Sequence, residues 1–343
     1  MNVLVETVLM TPVESEEISA LRNDGHELIV AEVGRTYTEA ELITLTRDAE
    51  VLLAASHNRV SRKVLESAER LRVVVAPFVG VDHIDVDAAT ELGIMVVNSP
   101  GRYNIIGVAE ATIGLILALL KRVKRNEARL RGGGWRNVED QGAPLSGKTV
   151  GIVGLGRIGS QVARRLAPWE VMLLSNDPYI SPDYAKGLNA PLTDLPTLLA
   201  ASDIVTLHVV LTDETRNLIG ERELRMMKPT AYLINTARGG VVAERALAQA
   251  IQEGRIAGAA LDTFEMEPLP ADSPLRRLDP ERVILTPHNI GLSEAARRSN
   301  WALAVQSIRQ ALRGEVPEPV KNPDVVTAWQ ERLKRLGMPR CSV

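Results

Sequence analysis

Three polar side chains lie just after short runs of β-forming residues: Arg238 after AYLINTA, Glu267 after AGAALDTFEM, and His288 in RVILTPHN. Open α/β sheets bind ligands beyond the carboxyl ends of their strands. An imidazole there can transfer protons near neutral pH, and a carboxylate beside it favours its protonated form. A guanidinium can hold a substrate carboxylate through two parallel hydrogen bonds. Local sequence alone equally allows a surface arginine–glutamate pair and an unrelated histidine.

The other four histidines are weaker candidates for proton transfer. His26 precedes a β-rich run, His57 and His83 lie in predicted loops, and His208 ends the run DIVTLHVV, where it could line a cofactor cleft. A lone histidine in such a place is more often a polar residue whose hydrogen bonds are satisfied. We therefore expect His288 to be the acid–base residue.

The sharpest motif is GLGRIG at residues 154–159, between the β-rich run TVGIV and the helical pattern SQVARRLAP. A GxGxxG turn needs this strand–turn–helix context to bind a dinucleotide. Gly154 permits the tight turn, Gly156 lets the backbone approach a pyrophosphate, and Gly159 lets helix and strand pack closely. Free N–H groups at the helix start, around Arg157 and Ile158, then face the phosphate charge.

An acidic residue ends the next β-rich run, VMLLSND, at Asp177. In dinucleotide-binding units a carboxylate about 20 residues beyond the glycines accepts hydrogen bonds from the ribose hydroxyls. The same carboxylate would repel a 2′-phosphate, so the pattern predicts NAD rather than NADP as cofactor. The alternative is a plain glycine-rich turn, with Asp177 capping the turn at Pro178.

The composition is that of a globular protein of about two domains. The 343 residues are 45% apolar and 24% charged, with a net charge of −3. No basic face is implied, so we expect no nucleic-acid partner. The single cysteine, Cys341, excludes a disulfide framework or a cysteine-built metal site, and we predict no metal.

The longest apolar stretch, residues 105–120, is the candidate for a membrane span. It is shorter than the roughly 18 to 20 residues that a span needs, and it contains Glu110, so we expect a buried helix. The amino terminus has no basic start followed by a cleavage site, the mark of a signal peptide. We therefore predict a cytoplasmic protein with no membrane partner.

β-rich runs alternate with helical patterns almost throughout the chain, which indicates βαβ units and parallel sheets. The runs are VLVE, ELIVAE, VLLAAS, RVVVAPF, IMVVNS, TVGIVGLG, VMLLSND, DIVTLHVV, AYLINTA, AGAALDTF and RVILTPHN. Long helical patterns at about residues 104–125 and 293–312 mark possible domain boundaries. We predict an α/β fold with two Rossmann-like domains and doubly wound parallel sheets. A substrate domain of residues 1–98 plus 291–343 is split by an inserted NAD-binding domain of residues 99–290.

Over most of its length the sequence resembles the D-isomer-specific 2-hydroxyacid dehydrogenase family. The motifs are VGVDHID (residues 79–85), VVNSPG (96–101), VAE (108–110), LSGKTVGIVGLGRIG (145–159), DPY (177–179), LHVVLTDETRNLIG (207–220), MKPTAYLINTARGG (227–240), ALDTFEMEP (260–268) and TPHN (286–289). So many motifs in this order make the resemblance specific. It also implies a split substrate domain, and a homodimer joined through the segment around residues 100–140.

The resemblance implies roles for three residues in catalysis. Arg238 in NTARGG is similar to the substrate-orienting arginine, and His288 in TPHN is similar to the acid–base histidine. Glu267, before Pro268, is similar to the carboxylate that pairs with that histidine.

The resemblance also implies ligand-binding residues. Asp262 in ALDTF is similar to the aspartate near the nicotinamide carboxamide, and Thr112 and Ala237 occupy positions near the cofactor. Backbone amides around Val79, Gly80 and Val81 resemble the loop that receives the substrate carboxylate.

The chain departs from the family pattern at a few places. Val210 replaces the proline of LHxPLT, and PGRYNIIGVAE is about one residue longer than usual. Phosphoglycerate-type members have an arginine before the serine where this chain has Ala54, Ala55 and Ser56, which disfavours a phosphorylated substrate unless Arg59 or another residue supplies the charge. We also expect no long regulatory domain after the final helix.

The resemblance implies an NAD-dependent oxidoreductase that interconverts a small D-2-hydroxy acid and its 2-oxo acid. Two other functions suit the same fold. One is an NAD(H)-sensing regulator or corepressor-like binding protein that keeps these residues with little turnover. The other is a phosphite- or formate-type dehydrogenase. The sequence leaves the particular hydroxy acid open.

Overall fold

The computed structural model describes residues 2–5, 16–30, 32 and 35–338, so Cys341 lies outside the described residues. The chain forms two compact units: Met1–Asn104 together with Ser293–Val343, and Ile105–Leu292. The chain passes from one unit to the other at 104/105 and 292/293, whereas the sequence predicts boundaries at 98/99 and 290/291. The assignment of a substrate-binding role to the first unit stays a prediction.

Each of the eleven predicted β-rich runs overlaps a strand. In chain order the strands are β1 (Asn2–Val5), β2 (Glu27–Val30), β3 (Val51–Leu53), β4 (Val73–Ala76), β5 (Met95–Asn98), β6 (Thr149–Val153), β7 (Met172–Asn176), β8 (Ile204–Leu207), β9 (Tyr232–Asn235), β10 (Gly258–Leu261) and β11 (Val283–Leu285).

The strands form one parallel sheet in each unit. The first has the order β2-β1-β3-β4-β5 and the second the order β11-β10-β9-β8-β6-β7, with every strand pairing parallel. In each sheet the direction of winding reverses at the first strand, β1 or β6, which is where such sheets bind ligands. The predicted fold class is confirmed.

Helices connect the strands in the described part of the chain. They are α1 (Glu16–Asn23), α2 (Glu39–Thr46), α3 (Arg62–Ser67), α4 (Val86–Glu91), α5 (Arg102–Leu120), α6 (Val123–Arg131), α7 (Arg157–Leu166), α8 (Pro182–Gly187), α9 (Leu195–Ala201), α10 (Glu221–Met226), α11 (Glu244–Gln252), α12 (Glu294–Leu312) and α13 (Val326–Arg335).

Every residue of β3, β4, β5, β6, β8 and β10 is buried. Successive strand residues point to opposite sides of a sheet, so these strands are buried on both faces. In the first sheet Leu52 belongs to one hydrophobic core and its neighbour Leu53 to another. In the second sheet Ile204 and Val205 divide between two cores in the same way. Burial of each such side chain contributes about 1.5–3 kcal/mol relative to exposure, so the continuous apolar runs of the sequence require a layer of helices on each face.

Helix α5 differs from the prediction in two ways. The predicted single helix of residues 104–125 ends at Leu120, and α6 begins only at Val123, after Arg122 adopts a left-handed backbone with φ of 50°. At 19 residues α5 is long and apolar enough for a membrane span, so the length argument against one is wrong. Seven of its side chains are nevertheless buried, and all of these except Thr112 belong to a hydrophobic core of the second unit.

Polar contacts attach the carboxyl-terminal helix α13 to the first sheet and its loops. Trp329, fully buried, donates its indole N–H to the carbonyl of Arg72 at 2.9 Å. The Arg332 guanidinium donates to backbone carbonyls of two loops, those of Ala68, Glu69, Leu71 and Leu92. Burial lowers the pKa of Arg332 to about 10, so the side chain remains charged at neutral pH. One cation thereby satisfies several acceptors that would otherwise be buried without a donor.

Candidate active site

The carboxyl ends of the second unit's parallel strands carry most of the predicted site residues. The glycine-rich turn follows β6, Asp177 follows β7, Arg238 follows β9, Glu267 follows β10 and His288 follows β11. Parallel strands end at one edge of a sheet. Residues distant in sequence therefore come to the same edge.

His288 and Glu267 form a direct pair. His288 Nδ1 lies 2.7 Å from Glu267 Oε2, and both side chains are partly exposed, 48% and 38% respectively. The other carboxylate oxygen, Oε1, accepts the backbone N–H of Phe264 at 3.0 Å. The carboxylate is thus held on its own loop while it orients the imidazole. Since Nδ1 faces Glu267, the second ring nitrogen, Nε2, is the one free to act on a substrate.

Opposing effects set the charge of Glu267. Burial alone would raise its pKa, but the hydrogen bond and charge of His288, the Phe264 N–H and the charge of Arg238 lower the pKa below its usual value. The carboxylate is therefore ionised at neutral pH. It can stabilise a protonated imidazole.

The backbone at His288 is left-handed, with φ of 51°, a conformation that costs energy in a residue other than glycine. Asp262, buried at the end of β10, compensates for it. Its carboxylate accepts the Thr286 hydroxyl at 2.6 Å and the N–H groups of Asn289 and Ile290 at 3.1 and 3.3 Å. Burial raises the pKa of Asp262, although these hydrogen bonds act to lower it. The predicted contact of Asp262 with nicotinamide stays a prediction.

Arg238 lies on a loop that touches the loop of Glu267. A Cβ placed on the next residue, Gly239, would lie 1.8 Å from the carbonyl carbon of Phe264 and 2.3 Å from the nitrogen of Glu265. Only glycine permits this approach. The half-buried Arg238 donates from Nη1 to the carbonyl of Ala237 at 2.7 Å, and its own carbonyl accepts from Asn235 Nδ2 at 2.9 Å. The structure thus brings all three predicted catalytic residues to adjoining loops of one unit.

The glycine-rich turn fits a dinucleotide pyrophosphate. Gly154 has a φ of 90°, and a Cβ on Gly159 would lie 2.0 Å from the carbonyl oxygen of Gly154. A Cβ on Gly156 would meet nothing within 4 Å, so the space in front of the turn is open. Helix α7 begins at Arg157 with no side chain capping its first turn. Its N–H groups, including those of Arg157 and Ile158, are therefore available to an anion.

Asp177 supports the glycine-rich turn from the end of β7. Its carboxylate accepts the N–H of Leu155 at 2.8 Å and the N–H of Tyr179 at 2.9 Å. A carboxylate has about four acceptor positions, so two remain for ribose hydroxyls. Asp177 thus binds the glycine-rich turn, and its predicted contact with the ribose stays a prediction.

Thr112 and Ala237 lie near each other beside the end of β9. The buried Thr112 has its hydroxyl 3.0 Å from that of Thr236, the residue before Ala237. Ala237 donates its N–H to Asn235 Oδ1 at 3.1 Å. Their predicted contacts with the cofactor stay predictions.

The predicted substrate loop lies in the first unit. Val79, Gly80 and Val81 follow β4 and are half-buried. Asn98, at the end of β5, donates its side-chain amide to the carbonyl of Val79. This loop and the loop at Asn98 follow neighbouring strands of one sheet.

The remaining histidines have structural partners or are buried. His57 Nε2 lies 3.0 Å from the carbonyl oxygen of Arg35, and the rings of His83 and Phe78 are in contact, with centroids 5.5 Å apart. His208 lies beside the glycine-rich turn, and burial lowers its pKa to about 3, so its ring is neutral. Burial also lowers the pKa of His26. Among the described residues no cluster of His, Cys, Asp and Glu could hold a metal ion.

The sequence interpretation missed one feature of this site. Glu244, the first residue of α11, and Glu265, two residues before Glu267, exchange hydrogen bonds. The helix start at Glu244 was predictable from ERALAQAIQE, but no local pattern indicates a partner 21 residues away.

Comparison with known proteins shows the family to which the chain belongs. Residues 113–289 match the profile of the D-isomer specific 2-hydroxyacid dehydrogenase family, NAD binding domain. A glyoxylate reductase of Thermofilum pendens is 44% identical over 83% of this chain and 85% of its own length. The chain belongs to the D-isomer specific 2-hydroxyacid dehydrogenase family.

Other members of the family extend the match. A D-3-phosphoglycerate dehydrogenase of Methanocaldococcus jannaschii is 40% identical over 97% of this chain, which spans 62% of that protein's length. A crystal structure of D-lactate dehydrogenase from Aquifex aeolicus, complexed with NAD and lactic acid, has a TM-score of 0.81, 29% identity and coverage of 95% of this chain and 98% of the other. The predictions of NAD as cofactor and of an NAD-dependent D-2-hydroxyacid dehydrogenase as enzyme class are confirmed.

In this dehydrogenase, replacing Asp177 with alanine is expected to weaken NADH binding by roughly 10- to 100-fold, since a hydrogen bond to a charged group contributes about 1.5–3 kcal/mol. NADPH binding should weaken less, because the repulsion of a 2′-phosphate is also removed. Fluorescence titration with both nucleotides measures the ratio. Asp194→Ala is the control, because Asp194 also accepts a backbone N–H in the second unit, at the start of α9. An unchanged NADH to NADPH ratio in Asp177→Ala would show that another group reads the ribose.

Proposed function

We propose that the protein interconverts a small, unphosphorylated D-2-hydroxy acid and its 2-oxo acid. The observation that carries the proposal is the 2.7 Å contact of His288 with Glu267 on loops at the carboxyl edge of the sheet whose first strand, β6, leads into the dinucleotide turn. A histidine oriented by a carboxylate is an acid–base group. Arg238 on the adjoining loop supplies the positive charge that a carboxylate substrate requires.

In the reducing direction, reduced NAD when bound supplies the hydride that reaches C2 of the 2-oxo acid. Protonated His288 gives the Nε2 proton to the carbonyl oxygen, so the carbonyl becomes a hydroxyl group and the histidine becomes neutral. Glu267 stabilises the imidazolium before the transfer and fixes the ring through Nδ1. In the oxidising direction neutral His288 accepts the hydroxyl proton.

We assign Arg238 to the substrate because it follows β9 on the loop that contacts the loop of Glu267. Its Nη1 donates to the carbonyl of Ala237. Its planar fork suits bidentate contact with a carboxylate and can also polarise the adjacent carbonyl.

The absence of a phosphate on the substrate is supported by the segment that follows β3. Ala54 and Ala55 are fully buried there and carry no charge. The test is a spectrophotometric screen of NADH oxidation with glyoxylate, hydroxypyruvate, pyruvate, longer 2-oxo acids and 3-phosphohydroxypyruvate. We expect turnover with at least one unphosphorylated acid and little with the phosphorylated one.

Two results would contradict the proposal. Tight NADH binding without turnover on any 2-oxo acid would indicate a nucleotide-sensing regulator. Reduction of NAD by formate or phosphite without activity on hydroxy acids would indicate a dehydrogenase of the other type.

We also propose that the active form is a homodimer and that the protein is cytoplasmic. Large apolar side chains are exposed in and after α6: Leu130 is 60% exposed, Trp135 72% and Val138 77%. The three side chains lie within one short segment of the chain, and contiguous exposed apolar surface commonly marks protein interfaces. Sedimentation equilibrium is expected to give twice the chain mass of 37.4 kDa; a single-chain mass at micromolar concentration would contradict the proposal.

A further inference from the structure

Two glutamates beside the catalytic group take no part in the chemistry proposed above. Glu244 is the first residue of α11 and is only 8% exposed. Glu265 is exposed and lies in the loop between β10 and Glu267. Carboxylates are seldom buried unless their oxygens are held by donors, so the position of Glu244 calls for a structural reason.

The side-chain carboxylate of each residue accepts the backbone N–H of the other. Glu244 Oε1 accepts the N–H of Glu265 at 2.6 Å, and Glu265 Oε1 accepts the N–H of Glu244 at 2.9 Å. We call this reciprocal pair the glutamate clasp. It joins the start of α11 to the loop of Glu267 although 21 residues separate them.

The clasp lies next to both catalytic loops. On one side, the chain leads from Arg238 through a short segment to Glu244 at the start of α11. On the other side, Glu265 follows Phe264, whose N–H binds Glu267. Two consecutive N–H groups of this loop are therefore used, the first to hold Glu267 and the second to hold the loop on α11.

Close backbone packing completes the connection. Gly239 directly follows Arg238 and leaves no room for a Cβ against Phe264 and Glu265. The two loops are thus in contact at Gly239 and are tied again at Glu244. Their relative position determines where the guanidinium lies with respect to Glu267 and His288.

We propose that Glu244 is a positioning residue, which through the glutamate clasp holds the loop of Arg238 and the loop of Glu267 in register for catalysis. The inference rests on the proposed function for its kinetic part. Its structural part concerns only the contacts within this unit.

The charges around Glu244 support a role for its acceptor oxygen rather than for its negative charge. Burial, together with the charges of Glu265 and Glu267, raises the pKa of Glu244. Positive charge on this part of the chain comes from Arg238, Arg245 and, when protonated, His288. A glutamine at position 244 keeps an oxygen that can accept the Glu265 N–H and removes the like-charge repulsion.

The test compares Glu244→Ala, Glu244→Gln and Glu265→Ala. Misplacement of catalytic groups by about 1 Å can cost up to 10²-fold in rate, so we expect Glu244→Ala to lower kcat by about 10- to 100-fold. NADH affinity should stay within about twofold, and the acid–base limbs of the kcat/KM pH profile should move because the contact of Glu267 with His288 loosens. Glu244→Gln should restore kcat and the profile. Glu265→Ala, at an exposed position, should cause a smaller loss of the same kind.

Glu253→Ala, at the other end of α11, is the matched control, since Glu253 is exposed and contacts Gln249 and Arg255. Unchanged kcat and pH profile in Glu244→Ala and Glu265→Ala would overturn the proposal. A loss in Glu244→Ala that Glu244→Gln does not rescue, with equal loss of NADH binding, would also overturn it by showing a role in folding alone. If Glu244→Ala does not fold, Glu265→Ala and Glu244→Gln decide by the same criteria.

A crystal structure of Glu265→Ala or Glu244→Ala separates this inference from the proposed function. The distance between His288 Nδ1 and Glu267 Oε2, 2.7 Å here, is expected to lengthen in either variant, and an unchanged distance in both would contradict the clasp. If the wild-type protein reduces no 2-oxo acid and the distance still lengthens, the proposed function fails while the clasp stands.

Discussion

Replacing His288 with alanine is expected to lower kcat by about 10²- to 10⁴-fold, the usual contribution of a positioned proton donor. The structure gives the physical reason. Nδ1 of the ring is held by Glu267, so Nε2 is the atom placed to protonate the substrate oxygen, and alanine offers no replacement. Affinity for NADH should change little, because the dinucleotide turn after β6 lies on another loop. Single-turnover kinetics and fluorescence titration measure the two quantities.

His57→Ala is the matched control, because the His57 ring contacts the carbonyl of Arg35 in the first unit. It should retain wild-type kcat. Near-normal turnover by His288→Ala would remove His288 from the mechanism.

The pair of His288 and Glu267 also predicts how activity depends on pH. The lowered pKa of Glu267 means that its carboxylate is still ionised where a free glutamate begins to take up a proton. The stabilisation that the ionised form provides is present above the ordinary glutamate pKa. It is lost only as the pH falls through the lowered value.

Gly239→Ala is expected to impair both catalysis and stability. The added methyl group would lie 1.8 Å from the Phe264 carbonyl carbon and 2.0 Å from its oxygen, both backbone atoms. The loop of Arg238 must therefore move away from the loop of Glu267. We expect kcat/KM to fall by about 10²-fold from misplacement and the free energy of unfolding to fall by about 1–3 kcal/mol from overpacking. Steady-state kinetics and urea denaturation measure these effects.

Gly187→Ala provides a control with the same chemical change. Gly187 ends α8, and a Cβ there meets nothing within 4 Å. This variant should keep wild-type kinetics and gain a few tenths of a kcal/mol to about 1 kcal/mol of stability through a less flexible unfolded chain. Wild-type kinetics in Gly239→Ala would show that the two loops do not need their close contact.

The strands and the cofactor turn were predictable from the sequence because their signals are local. Apolar runs with turn residues on both sides are typical of strands in a covered parallel sheet, and all eleven runs overlap a strand. The GLGRIG turn likewise needs only a strand before it and a helix after it. Strand ends also indicated where Arg238, Glu267 and His288 would lie, because parallel topology brings those ends to one edge.

The details that were missed depend on contacts between distant residues or on backbone choices that no residue type announces. Arg122 is an ordinary helix former, yet its left-handed backbone separates α5 from α6. Glu244 looks like a solvated residue at a helix start, and only the folded chain pairs it with Glu265. The left-handed backbone of His288 depends in the same way on Asp262, 26 residues earlier in the chain.

Because the first unit is formed from both ends of the chain, the two units can fold at different times during synthesis. Trp329 and Arg332 bind backbone carbonyls of residues 68–72 and of Leu92. One face of the first sheet therefore stays incompletely covered in a nascent chain until α12 and α13 have been synthesised. The strands of residues 105–292 are all synthesised before that point. The second unit can therefore fold while the first unit still lacks α12 and α13. Transiently exposed apolar surface promotes aggregation, so we expect the incomplete first sheet to be the part of the nascent chain most prone to it.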